Sequence, residues 1–520
     1  MAVATPAVAA NQPAKNGLLA YLAARADDGN SDGAEAVRRY TAALADAPGN
    51  ADVALRAYRE ALSVGDDALV DRSIATLLAA GQAPADSALI MLAGAARGHD
   101  LKAEDAAIAR LSGGQLAVLV TPLRAWAAQE RGGDPLAILA QRPRDAVSRR
   151  LNDETRALIL IARGQYDEGL TSLRAISGND QAAQDLRIAA AQLLIGKGQD
   201  ARARTLLTGD SGPIAALRDH PQGAKPTLAF GAARLFVRLA DDLVTGDPGP
   251  LSITLTRAAL RAEPGNDRAR LLLAGTLARL NRTDRALAVL NGVDKTGLYG
   301  STVDTAWISI LAGAERYEDA IRIAAPLAQP ADASDLALAT LGDLLLTANH
   351  PKEALPVYRR LIERPSGAAR WEPWLHYAAA LDQAGDWPAA REALLRAEAI
   401  APDEPSVLNY LGYGDITHNG DVPKALAMLQ RAVALRPDDS AIVDSLGWAY
   451  YRSGDLKRAL PLLEQAAQAS PENAEIGEHL GDAYWRAGRR YEARYAWRAA
   501  QVVAEGANRD RLATKIADGL

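Results

Sequence analysis

Two consecutive stretches near the end of the chain decide its fold: Ser440–Asn473, SAIVDSLGWAYYRSGDLKRALPLLEQAAQASPEN, and Ala474–Ala507, AEIGEHLGDAYWRAGRRYEARYAWRAAQVVAEGA. Aligned without a gap, the two stretches share a Leu-Gly pair, a second glycine and two alanines. The interval between matching positions is 34 residues. A fixed interval of this size means that one structural unit is repeated along the chain, so the fold is an array of such units.

Each matching position has a physical role in a unit of two antiparallel helices, A and B. The glycine of the Leu-Gly pair and the first alanine of helix B are small because the two helices touch there. The second alanine lies against the next unit. The other glycine occupies the turn between the helices, where a positive φ costs glycine little. The glycines of the Leu-Gly pairs are Gly412, Gly447 and Gly481, and the turn glycines are Gly420, Gly454 and Gly488. The first alanines of helix B are Ala425, Ala459 and Ala493, and the second alanines are Ala432, Ala466 and Ala500.

This pattern resembles the tetratricopeptide repeat (TPR) family over nearly the whole chain, and most strongly over 371–507. The resemblance implies an all-α fold, a solenoid of TPR helix-turn-helix units wound into a right-handed superhelix. Leu512 and Ile516 lie one helical turn apart near the end of the chain, which predicts a C-terminal capping helix. The domains that we expect are a disordered tail or signal-peptide remnant at 1–16, degenerate TPR-like repeats at 17–217, an irregular connection containing proline and glycine at 218–232, the C-terminal TPR array at 233–507 and the capping helix at 508–520.

The first sixteen residues allow two interpretations. Ala7-Val8-Ala9 matches the small-residue pattern after which signal peptidase cuts, but no charged region and no large apolar core precede it. The segment is either a disordered Ala/Pro tail or the trailing end of a signal peptide. The residues alone favour the tail.

Composition excludes several classes of protein. The 520 residues include no cysteine, which excludes a thiolate nucleophile, a Cys-zinc site and an iron–sulfur cluster. The net charge of −6 argues against bulk nucleic-acid binding, and no apolar run reaches the ~18 residues of a membrane-spanning helix. No nucleophile, dinucleotide or zinc-protease motif occurs. We therefore predict a protein that is not an enzyme, with no cofactor, no metal, no nucleic-acid partner and no transmembrane segment.

Aromatic residues concentrate at the C-terminal end, where six of the eight Trp and eight of the fifteen Tyr lie after residue 370. In each unit the fifth, ninth, twelfth and thirteenth residues of helix A are predicted to face the inner groove. Trp, Tyr and Arg side chains beside carboxylates are typical of a protein-interaction hot spot. The alternative is that these aromatics pack against the neighbouring helix or the cap. The predicted partner-binding residues are Asn409, Tyr413, Asp444, Trp448, Tyr451, Arg452, Glu478, Asp482, Trp485 and Arg486.

A narrower resemblance covers 408–500. The runs LNYLGY, IVDSLGWAYYR and HLGDAYWRAGRRYEA are similar to the C-terminal repeats of a Gram-negative envelope family. Its members include outer-membrane TPR lipoproteins that act as adaptors for a periplasmic carboxyl-terminal processing protease and deliver cell-wall hydrolases to it. The resemblance implies protein partners, among them a protease and its substrates. It also implies a periplasmic or envelope-associated protein held at the membrane peripherally; the alternative is a cytoplasmic protein.

Three functions follow from these observations. The first is a non-catalytic scaffold or adaptor of the cell envelope that binds a partner protein or peptide in the superhelical groove, in the manner of the protease adaptors. The second is a TPR scaffold for exopolysaccharide or envelope assembly. The third is a regulatory TPR arm of an enzyme, for which no residue suggests an activity.

Overall fold

Helices make up all the regular secondary structure of the residues that the computed structural model describes. These residues are 22, 24 and 33–520, without 177, 179, 210, 244, 245, 247 and 248. Within them no strand occurs, so the predicted all-α fold class is confirmed. The predicted tail at 1–16 and the front of the first predicted unit lie outside the described residues. The chain forms two compact units, Met1–Arg316 and Tyr317–Leu520.

The described part of the first unit contains α-helices and one short 3-10 helix, Gln115–Leu119. The α-helices are α1 (Gly33–Asp46), α2 (Ala51–Val64), α3 (Asp67–Ala79), α4 (Ser87–Gly98), α5 (Leu101–Arg110), α6 (Val120–Glu130), α7 (Pro135–Ile138), α8 (Ala146–Ala162), α9 (Tyr166–Ile176), α10 (Gln181–Gly196), α11 (Asp200–Leu206), α12 (Gly212–Asp219), α13 (Leu228–Asp242), α14 (Pro250–Ala262), α15 (Asp267–Arg279), α16 (Thr283–Leu290) and α17 (Gly300–Gly313). The connection predicted at 218–232 lies inside this unit. It is free of helix over 220–227.

The second unit is a more regular succession of helix pairs. Its helices are α18 (Tyr317–Ala328), α19 (Asp335–Thr347), α20 (Pro351–Ile362), α21 (Pro365–Ala368), α22 (Trp371–Gln383), α23 (Trp387–Ile400), α24 (Pro405–Thr417), α25 (Val422–Leu435), α26 (Ser440–Arg452), α27 (Leu456–Ala469), α28 (Ala474–Arg486), α29 (Arg490–Val503) and α30 (Gly506–Asp518). From α22 to α29, A and B helices alternate in the predicted register. Of the A helices, α24 contacts α26, and α26 contacts α28.

The small residues of the repeat lie where helices A and B meet. A Cβ atom on Gly447 of α26 would lie 2.9 Å from the side chain of Leu463 on α27. On α28 the contact is closer, because a Cβ on Gly481 would lie 2.3 Å from the ring of Trp497. Ala459, at the start of helix B, is fully buried. Close approach of paired helices is therefore the reason for these residues, as predicted.

The turn glycines behave as predicted in two repeats and differently in a third. Gly454 and Gly488 have φ of 86° and 82°, in the left-handed region that favours glycine. In the turn after α24 the left-handed residue is Asn419, with φ of 57°, and not Gly420. Asn419 follows Gly412 by seven residues, as Gly454 follows Gly447, so the left-handed position is unchanged and the inserted residue places Gly420 one position beyond it. The expectation of a positive φ at Gly420 is therefore wrong, and asparagine tolerates the left-handed conformation in its place.

The predicted capping helix is α30, and its core contact is Leu512. This side chain is fully buried and belongs to a cluster with Trp497 and Ala500 of α29. Ile516, one turn further on, packs partly buried against the same cluster. The helix therefore covers the apolar end of the last repeat, which an array without a cap leaves exposed to water.

Candidate partner-binding groove

The groove is built on three consecutive A helices, α24, α26 and α28. In α26 the Asp439 carboxylate caps the first turn by accepting from the backbone N–H groups of Ala441 and Ile442, at 3.1 and 3.3 Å. Asn473 caps α28 through the equivalent bonds, at 3.0 and 3.3 Å. Such caps fix where a helix begins. Because both helices begin at the same repeat position, their fifth, ninth, twelfth and thirteenth residues lie on the same face.

An aromatic row joins α26 to α28. The centroid of the Trp448 ring lies 4.7 Å from that of Tyr451 and 3.9 Å from that of His479, with interplanar angles of 17° and 15°. His479 Nδ1 lies 2.8 Å from an oxygen of Asp444, and since a carboxylate only accepts, the imidazole N–H is the donor. The Arg486 guanidinium lies 5.2 Å from the Tyr451 centroid, within cation–π range. These side chains therefore support one another across two repeats.

Side chains from alternate repeats meet over this surface. The Tyr413 hydroxyl on α24 donates a 2.8 Å hydrogen bond to Glu475 on α28, across the intervening α26. Burial, followed by the nearby Glu475 carboxylate, raises the pKa of Tyr413 well above its ordinary value. Asn409, one turn earlier on α24, has a buried side-chain oxygen with no hydrogen-bond partner among the described residues. A bond between the first and third of three adjacent helices shows that this face of the array is concave.

The cap helix supplies cations to the last repeat. Arg511 donates two hydrogen bonds to Glu478, at 2.8 and 2.7 Å. The Lys515 ammonium lies 2.7 Å from Glu478 and 2.8 and 2.7 Å from the two oxygens of Asp482. Asp482 also accepts a 2.9 Å bond from the indole N–H of Trp497. Both carboxylates are thus held by groups of the protein itself.

The two carboxylates respond differently to this environment. Burial raises the pKa of Glu478, but hydrogen bonds and charge from Arg511 and Lys515 outweigh it and lower the pKa to about 2. For Asp482 burial is the stronger effect, and its pKa is raised although Lys515 and Trp497 oppose the change. Glu478 is therefore ionised in the folded protein at neutral pH, whereas Asp482 depends on Lys515 to remain ionised.

Trp485 is enclosed by the end of the chain. A Cβ on Gly519 would lie 1.9 Å from a carbon of the Trp485 ring, so only glycine fits there. On the other side the Arg490 guanidinium lies 3.8 Å from the ring centroid, and the Trp497 ring lies 5.4 Å away. This is the cap packing that the sequence left open as the alternative for the aromatic residues.

Comparisons with known proteins identify the repeat. Family models described as tetratricopeptide repeat match residues 253–297, 339–405, 417–474 and 445–508. This chain contains tetratricopeptide repeats.

Solved structures that are similar to part of this chain include three with MamA in their titles. "MamA 41-end from Desulfovibrio magneticus RS-1" is 20% identical over 32% of this chain and 94% of its own, with a TM-score of 0.28. "Crystal structure of MamA" is 21% identical over 34% and 97%, with a TM-score of 0.27. "Crystal structure of MamA protein" is 20% identical over 36% and 96%, with a TM-score of 0.27. No curated protein matches this chain.

The TPR geometry separates the ten predicted residues into two groups. Glu478, Asp482 and Trp485 contact the cap helix or the residues that follow it. The remaining seven lie on the concave face of α24, α26 and α28, and two of them, Arg452 and Arg486, are exposed. Among the described residues Arg452 has no ion pair. The carboxylates Asp444, Glu478 and Asp482 bind His479 and the cap.

Sequence reasoning missed His479, Arg511 and Lys515. His479 follows Glu478, the fifth residue of helix A, and its ring contacts Asp444 and Trp448 of the preceding repeat. Arg511 and Lys515 lie one turn apart on the predicted cap, and a second basic residue at that spacing was the available signal. Among the described residues no group of three His, Asp or Glu side chains suitable for a metal ion occurs. No described helix has the length and apolarity needed to cross a membrane.

A cavity in the first unit, with buried ion pairs in its wall, was also missed. Its volume is about 880 Å³. Arg268 donates to Asp185 at 2.7 Å and to Asp241 at 2.6 Å, and the Tyr299 hydroxyl donates to Asp185 at 3.3 Å. Burial raises the pKa of Asp185 although Arg268 opposes it. The cavity gathers side chains of α8, α10, α13 and α15, whose repeats are too degenerate for the sequence to indicate that they converge.

Proposed function

We propose that this protein is a non-catalytic scaffold of the cell envelope that binds a partner protein or peptide in its TPR groove, as the adaptor of a periplasmic carboxyl-terminal processing protease. The observation that carries the binding proposal is the row from Trp448 to Arg486 on the concave face, with the exposed Arg452 beside it. Arginine presents a planar fork that suits a carboxylate, such as a chain terminus or an acidic side chain. The resemblance of the C-terminal runs to envelope adaptors supports the protease and the location.

Three of the ten predicted residues receive a different role in this proposal. Glu478, Asp482 and Trp485 hold the cap, so their contribution to binding is indirect. The partner contacts Trp448, Arg452 and the other residues of the concave face. Because Tyr451 is buried under Arg486, it acts by keeping that arginine in place.

The test is recovery of partners from envelope extract with the full chain as bait. Co-recovery of a carboxyl-terminal processing protease and cell-wall hydrolases supports the adaptor role. Recovery of a polysaccharide-export complex instead contradicts it and favours envelope assembly. Fractionation of the native protein to the cytosol contradicts every envelope function. An activity of the purified chain that depends on a groove residue contradicts the non-catalytic role.

Matched variants locate the partner on the groove. Trp448→Ala with Arg452→Ala should weaken binding of the recovered partner by about tenfold or more, since alanine at a hot spot typically costs ~2 kcal/mol or more. Arg396→Ala is the control, because Arg396 is an exposed arginine of the B helix α23 with no ion pair among the described residues. Unchanged affinity in the double variant, with an unchanged melting temperature, places the partner elsewhere.

A further inference from the structure

The last B helix, α29, exposes an apolar stripe to water. Tyr491, Tyr495 and Val502 have exposed fractions of 84%, 70% and 82%. With 3.6 residues per turn, these residues and Arg498 lie along one side of the helix. Single exposed apolar residues are ordinary, whereas several on one side of a helix form a larger apolar surface that is typical of an interaction site.

The preceding repeat shows that the fold does not require this stripe. The residues 34 positions earlier, on the outer side of α27, are Lys457, Pro461, Glu464 and Gln468. All four are exposed. None of the four is aromatic, so the repeat itself does not require the tyrosines that α29 carries at these positions.

A cavity of about 530 Å³ opens beside the stripe, between the end of α27, α28 and α29. Gly477, Leu480 and Ala496 line it from within, and Tyr491 and Tyr495 line it near the stripe. Its size falls within the range of about 300–1,000 Å³ that is usual for ligand pockets. The lining is mostly apolar, so an apolar group entering it would leave water without losing hydrogen bonds.

Truncated side chains explain why the cavity exists in this repeat. Three lining positions that carry large residues in the preceding repeat carry glycine or alanine here. The pairs, preceding repeat first, are Val443 and Gly477, Leu462 and Ala496, and Gln465 and Ala499. The pocket is thus a local change in side-chain volume on an unchanged repeat framework.

The free charge beside the stripe is positive. Glu492 accepts a hydrogen bond from Arg489. Arg490 lies over a tryptophan ring, and Arg494 donates to a carbonyl of the cap helix at 2.9 Å. Arg498, one turn from Tyr495, is exposed and has no hydrogen bond or ion pair with another described residue. A carboxylate is the group that this guanidinium would bind best.

We propose that this outer pocket, formed by α28 and α29, binds an acidic amphipathic segment of a partner protein. A bulky apolar side chain of the segment enters the cavity beside Ala496. The rings of Tyr491 and Tyr495 pack on it, and a carboxylate of the same segment pairs with Arg498. The pocket lies on the B-helix side, so it is a second binding surface in addition to the groove of the A helices.

The test uses the full chain and short fluorescein-labelled peptides, followed by fluorescence anisotropy. The acidic probe carries a Leu and a Trp one helical turn apart, flanked by glutamates. In one matched probe lysines replace the glutamates, and in the other serines replace the Leu and Trp. We expect saturable binding of the acidic probe at least about tenfold tighter than of either matched probe.

Variants taken from the preceding repeat then locate the site. Ala496→Leu with Ala499→Gln fills the cavity and should weaken binding of the acidic probe by about tenfold or more. Arg498→Glu should reverse the preference between the glutamate and lysine probes. Tyr491→Phe with Tyr495→Phe keeps the rings and should bind as the wild type does. These positions are exposed or line the cavity, so melting temperatures should stay near that of the wild type.

The groove variant separates this proposal from the proposed function. Trp448→Ala with Arg452→Ala should leave the acidic probe's affinity unchanged. Loss of probe binding in that variant would show that the probe binds in the groove, and would overturn the proposal of an outer pocket. The proposal is also overturned by equal binding of acidic and basic probes, by no saturable binding of the acidic probe, or by unchanged affinity in the cavity-filling variant.

Discussion

Replacing Lys515 with methionine should release the cap helix from the last repeat. The ammonium of Lys515 is shared by Glu478 and Asp482, whose side chains are 9% and 8% exposed. Methionine keeps the apolar stem but removes the charge. Glu478 retains Arg511, whereas the indole N–H of Trp497 is the one hydrogen-bond donor that Asp482 keeps among the described residues. A buried carboxylate without its cation must take up a proton or regain contact with water.

The expected cost follows from this burial. Breaking a buried ion pair by removing one partner typically costs about 3–5 kcal/mol. Lys515 is itself 15% exposed, which favours the lower end, about 3 kcal/mol. That energy corresponds to roughly a hundredfold increase in the opening equilibrium of the cap. Since a repeat array is stabilised mainly between neighbours, the loosening should be confined to α28, α29 and α30.

Hydrogen exchange of backbone amides measures this effect directly. Protection should fall in α28–α30 of Lys515→Met and stay unchanged in α22–α25. Lys457→Met is the control, because Lys457 is exposed on α27 and has no ion pair among the described residues. Adding Asp482→Asn to Lys515→Met should restore part of the protection, since an amide leaves no stranded charge. Equal exchange in the two methionine variants, or loosening spread over all helices, would refute the reasoning.

Three further predictions concern packing, pH and helix content. Gly481→Ala should lower the free energy of unfolding by about 2 kcal/mol in guanidinium titrations, because the new methyl group meets the fully buried Trp497 ring. Gly275→Ala is the control and should not lower it, because the space around Gly275 is open. Equal effects of the two substitutions would contradict the packing argument. The lowered pKa of Glu478, about 2 against 4.5, stabilises the fold by about 3 kcal/mol at neutral pH. This stability is present above pH ~4.5 and is lost as the pH falls towards ~2. The free energy of unfolding, measured by urea titration, should therefore differ less between pH 7 and pH 3 in Glu478→Gln than in the wild type. An identical difference in the two proteins would contradict this prediction. Far-UV circular dichroism should show a helical spectrum, and substantial β content would contradict the fold.

The repeat could be predicted from sequence because its determinants are local and periodic. Gly447 and Gly481 are small for one physical reason, contact with helix B, and that reason returns at each interval. The predicted groove positions of the A helices follow from the same register, and Tyr451 contacts both Trp448 and Arg486.

What the side chains bind could not be predicted in the same way. Glu478 and Asp482 have the residue types of groove positions, but their partners Arg511 and Lys515 come from a helix outside the repeat pattern. Nothing in the period indicates which of several basic residues will satisfy a buried carboxylate. The Trp485 environment depends likewise on Gly519, a residue beyond the last repeat.

The ion pairs along the groove have a consequence for how such an array can be rearranged. The fifth residue of helix A is acidic in the last two repeats, and each acid binds a side chain of the A helix, or cap, that comes next. Asp444 binds His479, and Glu478 binds Arg511 and Lys515. In both cases the acid lies on one repeat, and the side chain that binds it lies on the helix that follows. Exchanging these two repeats, or inserting a copy of either one before the cap, would leave an acid facing the wrong neighbour. The repeats share a fold, but each of these two acids needs a specific partner on the next helix. Duplication or shuffling of these repeats therefore needs a compensating substitution on the helix that follows.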